Sequence, residues 1–130
     1  MLEINYINKQ TVSNKVKKYW YILNEDKTFT ALPKGEYPKL GAFNEPAKHV
    51  GNSFIGEQRI STVFLHFDHG LNFGSPLESF TPVLFESMIF EGPHHDYQRR
   101  YCTYDEALEG HNNLVKALEE ERHPDFYFND

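Results

Sequence analysis

The sequence has one cysteine, Cys102, so no disulfide can form within the chain and stability has to come from packing. That usage fits a reducing, cytoplasmic setting. No apolar run approaches the roughly 20 residues that a membrane-spanning helix needs. The opening stretch, MLEINYINKQTVSNKVKK, lacks the apolar segment of a signal peptide. A glycine-rich phosphate loop and a second Cys/His cluster at metal-ligand spacing are also missing. So is an excess of basic residues. The net charge is −6, a field that repels nucleic acid. Nucleic-acid binding would need Lys9, Lys15, Lys17 and Lys18 to form one patch, and it ranks third among the functional readings.

What is present is a chain of 130 residues, a length that fits one domain. Aromatic residues make up 15%, and 11 Phe with 8 Tyr predict a core of large rings, which favour strands. The charge is unevenly placed. Residues 1–102 hold 11 basic and 11 acidic residues, whereas residues 103–130 hold two basic and eight acidic ones. That acidic segment suits a basic protein partner, with Glu119, Glu120 and Glu121 as contacts, or serves solubility alone.

The hydrophobic pattern divides the chain. Residues 1–16 are polar and read as an arm or short strand. KYWYIL (18–23) and TFTAL (28–32), joined by NEDK, predict a hairpin. Glycine and proline punctuate residues 33–58 and predict a long loop, in which HVGNSFI (49–55) is a candidate strand paired with RISTVFLHFD (59–68). ISTVFLHFD and VLFESMIFE (83–91) are apolar on both faces, the mark of covered central strands. YQRRYC (97–102) is more polar and belongs nearer an edge.

TYDEALEGHNNLVKALEEER (103–122) predicts a helix. Thr103 and Glu106 have the spacing of a capping box. Ala107, Leu108, His111, Leu114, Val115 and Leu118 recur on one stripe. The aromatic, acidic end (123–130) either folds back or docks a partner. The expected fold is α+β: an antiparallel sheet of about four to six strands with one C-terminal helix packed on a face. The second sheet face needs cover from the 33–58 loop, the tail or another copy, and the last option predicts a homodimer.

Four groups of residues carry candidate chemistry. In HFDHG, His66 and Asp68 would point to one face if the strand continues through them, with Glu86 of the neighbouring strand in reach. With His69 they form a donor set suited to zinc or manganese, or an acid/base pair, and hence a small metal-dependent hydrolase or phosphoesterase. The competing reading is a strand-end turn in which Asp68 accepts backbone N–H bonds. His94 and His95 in the turn GPHHD would join that site if the turn lies beside the strand end. Arg99 and Arg100 alternate across their strand ahead of the helix and offer a site for a small anionic ligand, or simply pair with glutamates. Cys102 sits where a helix start stabilises thiolate. His111 on the apolar stripe reads as a core histidine.

ISTVFLHFDHGLNFGSP followed by LFESMIFEGPHHDYQRRYCTYDEALEGH resembles a widespread family of small uncharacterised proteins of tailed bacteriophages and prophages, over about residues 59–111. KYWYILN is similar too, more weakly. Asp68 and His69 match the family pattern, and His66 departs from it. The resemblance brings no catalytic assignment. It implies a phage-encoded accessory protein that acts by binding: inhibiting a host enzyme, sequestering a signalling nucleotide or modulating a host complex. The expectation is therefore a non-enzymatic binding protein with no cofactor. Asp68, His69, Arg99 and Arg100 are its candidate ligand contacts, a host protein or small anionic ligand is its partner, and the hydrolase is the alternative.

Overall fold

The computed structural model describes residues 20–39, 48–68 and 81–129. Strands β1 (Tyr21–Leu23) and β2 (Phe29–Ala31) form an antiparallel hairpin, as the sequence predicts. Its turn is held by Asp26, whose carboxylate accepts from the Thr28 N–H at 3.1 Å and from the Thr28 hydroxyl. Those two bonds hold the Asp26 carboxyl below its ordinary value.

Strands β3 (His49–Ile55), β4 (Gln58–Phe64), β5 (Phe85–Phe90) and β6 (Gln98–Tyr101) follow one another in a four-stranded antiparallel sheet. A two-residue loop joins β3 to β4, and Gly56 takes the positive φ of 61° at its first position. Part of the stretch read as a long loop is thus β3, the candidate strand HVGNSFI, paired with the strand expected. β6 is an outer strand, in keeping with its polar sequence.

β4 is shorter than the apolar run implied. It ends at Phe64, because His66 adopts φ 64°, a left-handed conformation that breaks the pleat. The backbone then crosses to the hairpin. The Tyr21 N–H donates to the His66 carbonyl at 2.7 Å, and Trp20 bridges Phe67.

Helix α1 (Tyr104–Glu119) packs on one face of the sheet. Both bonds of the capping box form. The Glu106 N–H donates to Thr103 Oγ1 at 3.1 Å, and the Thr103 N–H donates to Glu106 Oε1 at 3.2 Å. The buried stripe is rotated from the predicted one. Gly110 and Ala117 are buried, whereas Leu108 is 38% exposed. The physical reason is Tyr101, whose ring reaches the helix where Gly110 has no side chain.

The helix ends in a Schellman motif. The Arg122 N–H donates to the Ala117 carbonyl at 2.8 Å and the Glu121 N–H to the Leu118 carbonyl at 3.1 Å. Glu121 holds the left-handed position, φ 57°, that glycine normally fills. Glu121→Gly should therefore raise stability by about 1 kcal/mol, or about 3 °C in Tm by calorimetry. An unchanged or lower Tm would refute that account of the cap.

The helix-facing side of the sheet carries three cross-strand rows. Phe64, Phe85 and Tyr101 form one and Ser53, Ile60 and Ile89 another. Between them runs a row of Gly51, Thr62, Ser87 and Arg99. This middle row separates two apolar clusters. Tyr21, Phe64, Leu84, Phe85, Tyr101 and Ala107 pack on one side of it; Ile60, Ile89, Leu114 and Leu118 pack on the other. The opposite face of the sheet is largely polar, with Arg59 Nε donating to Asn52 Oδ1 at 2.8 Å and Arg100 paired with Glu86.

The C-terminal segment folds back on the domain. Phe128 packs against both apolar clusters, and Pro124 is buried.

Candidate functional site

The buried row continues as a chain of side-chain contacts through five elements. Ser53 Oγ lies 2.8 Å from His111 Nε2, and His111 Nδ1 lies 2.7 Å from Thr62 Oγ1. Thr62 Oγ1 is 2.6 Å from Ser87 Oγ, which accepts from the Tyr101 hydroxyl at 3.0 Å. Each side chain of this chain of contacts thereby has a hydrogen-bond partner, which offsets the cost of burying it. Gly51 makes room. A Cβ there would lie 2.6–2.7 Å from three atoms of the His111 ring. Burial, followed by the nearby His49, pushes the His111 pKa below its ordinary value, so the imidazole is neutral near pH 7. Burial likewise pushes the Tyr101 phenol up. His111 is the satisfied core histidine that its place on the stripe suggested.

The HFDHG residues separate. With the strand ended, His66 and Asp68 are not alternate residues of one pleated face, which removes the geometric basis for pairing them. The His66 Nδ1–H donates to the Tyr21 carbonyl at 3.1 Å, and its ring meets Phe64 edge-on. It ties the hairpin to the larger sheet. Asp68 is 3% exposed and its Oδ1 accepts from the Val83 N–H at 2.8 Å, the backbone bond expected of a strand-end aspartate. Glu86 does not turn to His66. Its register opposite Val63 and Arg100 puts it on the polar sheet face, 3.0 Å from Arg100 Nε. His69 lies outside the described residues, as do Lys9, Lys15, Lys17 and Lys18. Among the described residues no three His, Cys, Asp or Glu side chains come together as metal ligands.

The GPHHD turn does not lie beside the HFDHG strand end. It follows Phe90, which pairs with Arg59 at the other end of β4. Five residue steps, about 17 Å, separate the two ends. His95 Nδ1 donates to the Gly92 carbonyl at 3.1 Å, and His94 stacks edge-on against His123.

Cys102 is not activated. Burial pushes its thiol up, and the Glu106 and Asp68 carboxylates add to that. The helix N-terminus is filled as well, since Glu106 Oε1 accepts from the N–H groups of both Cys102 and Thr103.

Arg99 and Arg100 alternate as expected, and both have carboxylate partners. Arg99 lies on the helix side, 3.3 Å from Asp125 Oδ1, with its guanidinium 3.5 Å above the Phe128 ring. Arg99 also lines a cleft of about 370 Å³ between β6, α1 and residues 127–129. Arg100, Glu106, Glu109 and Asn113 also line that cleft, and Tyr101, Tyr127 and Phe128 contribute rings. The sequence flagged Arg99 through strand alternation. The aromatic tail was legible as a segment that could fold back; that its rings, more than 25 positions away, would meet Arg99 was not.

The acidic triplet is divided in role. Glu119 and Glu121 are exposed. Glu120 accepts from Tyr127 and from Arg122 Nε, and the Tyr127 bond holds its carboxyl below the ordinary value. No helix among the described residues is long and apolar enough to cross a membrane. Comparison with family models, with curated proteins and with solved structures finds no match.

Proposed function

We propose that this protein is a non-enzymatic binding protein that holds a small anionic ligand in the cleft between β6, α1 and the C-terminal tail. The observation that carries this reading is the cleft itself. Its size falls in the range of about 300–1,000 Å³ common for small-molecule sites. Its lining combines two arginines, Arg99 and Arg100, with Glu106, Glu109 and Asn113 and an aromatic wall over which the Arg99 guanidinium stacks. That mixture suits a ligand held by a few polar contacts over an apolar surface. The groups that would otherwise suggest catalysis have structural partners: His111 within the row, His66 and Asp68 on backbone groups, and Glu86 on Arg100.

The resemblance to small phage and prophage proteins supports the same reading. Sequestering a small signalling molecule of the host is a task for an accessory factor of this kind, and it would place the protein in the host cytoplasm. The exposed Glu119 and Glu121 are free of that task and suit contact with a basic protein surface.

The test is a thermal-shift and calorimetric screen of small carboxylates, phosphates and nucleotides against the wild type and Arg99→Ala. A ligand should raise the wild-type Tm by several degrees and lose that effect in Arg99→Ala, while Arg59→Ala, on the other sheet face, keeps it. Equal shifts in all three proteins would place binding elsewhere and end the cleft reading.

A further inference from the structure

The tail that walls the cleft also presents a carboxylate and a ring to Arg99. The Asp125 carboxylate accepts from the Tyr97 hydroxyl at 2.6 Å and from Arg99 Nη1 at 3.3 Å. The centre of the Phe128 ring lies 3.5 Å from the same guanidinium, which sits over it. Arginine is suited to this double recognition: its edge donates to an oxyanion and its face stacks on a π system. Three further contacts hold the segment. Asn113 Nδ2 donates to the Tyr127 carbonyl at 3.4 Å, Lys116 Nζ sits 4.5 Å above the Tyr127 ring, and the Tyr127 hydroxyl donates to Glu120. These bonds are at the surface: Asp125 is 55% exposed, and Arg99 keeps 21% exposure. Solvent-exposed pairs of this kind are weak and exchange readily.

We infer that the cleft takes an aromatic anion, a planar ring carrying a phosphate or carboxylate, and that residues 125–128 imitate it. The ligand's oxyanion competes with Asp125 for Arg99, and its ring adds to or replaces the Phe128 stack. The tail is thus a built-in competitor that loosens when ligand binds. This inference rests on the cleft being the binding site, and it adds the ligand class and the competition.

Four probes separate the contributions: adenosine monophosphate and phenyl phosphate (ring plus anion), inorganic phosphate (anion alone) and adenosine (ring alone). Affinities are measured by calorimetry on the full chain, with tail release followed by NMR of the Phe128 and Tyr127 ring protons. Either aromatic phosphate should bind at least about tenfold more tightly than inorganic phosphate or adenosine, because ring stacking and the charged contact then act together. Asp125→Asn, which removes the competing charge at an exposed position, should tighten binding of that ligand by about tenfold. Its saturation should shift the tail resonances in the wild type.

Binding that needs Arg99 but is unchanged in Asp125→Asn, with still tail resonances, would overturn the competition while leaving the cleft reading intact. Inorganic phosphate binding as tightly as the aromatic phosphates would overturn the ligand class. Absence of binding by all four probes to both proteins would overturn the inference, while a hit in the wider screen that depends on Arg99 would preserve the cleft.

Discussion

Gly110→Ala is expected to lower stability by about 3 kcal/mol, the upper part of the range for forcing atoms into a packed core. A methyl group at this position would fall on the Tyr101 phenol, meeting its hydroxyl and two ring carbons. The ring has little room to retreat. Tyr101 is 8% exposed, sits in the row with Phe64 and Phe85, and donates to Ser87. The helix cannot easily lift either, because Ala107 and Leu114 are fully buried on both sides of Gly110. Chemical denaturation should show the loss, with Tm falling by about 10 °C. A double-mutant cycle identifies the cause. In a Tyr101→Ala background the same Gly110→Ala change should cost well under 1 kcal/mol, since the two positions are in contact and their effects do not add. An equal cost in both backgrounds would mean that close approach to Tyr101 is not the cause, since backbone freedom alone favours alanine inside a helix.

His111→Ala should cost about 3 kcal/mol, through the cavity left in the core and the loss of hydrogen-bond partners for Ser53 and Thr62. The pH dependence distinguishes the network from simple packing. Folding holds the His111 pKa below its ordinary value of 6.5, with burial the main cause and His49 the second. Between the folded and unfolded values the unfolded chain binds more protons, so stability rises with pH. The contribution is complete above pH 6.5 and is lost as pH falls from there through the folded value. Wild-type stability should therefore decline between pH 7 and pH 5 more steeply than that of His111→Ala, measured by urea denaturation at each pH. Parallel curves would refute the neutral, buried imidazole.

The fold was legible where the determining residues are close in sequence. The capping box joins positions three apart, and both of its bonds form. The hairpin around NEDK, the strands in ISTVFLHFD and VLFESMIFE, and the polar outer strand YQRRYC all follow from local alternation and turn residues. Where the expectations missed, distant contacts decided. The helix stripe turned toward Gly110 and Ala117 because Tyr101, on another element, needed space. The strand ended two residues before His66 because the backbone there bonds to Tyr21, 45 positions earlier.

The candidate site was less legible, for the same reason. Arg99 was visible as one of two alternating arginines, but Asp125 and Phe128 reach it only once the tail folds back. Thr62 and Ser87 look unremarkable in their own segments, and His111 was legible as a core histidine, but its partners were not. Periodicity within a segment determined which residues form strands, hairpin and helix, because propensity, capping and turn chemistry act over a few positions. Register between strands, rotation of the helix and docking of the tail placed Gly51, Thr62, Ser87 and Arg99 in one row and closed a cleft over its end. These depend on matching side-chain volumes and hydrogen bonds across segments far apart in the chain, and only the packed structure decides them.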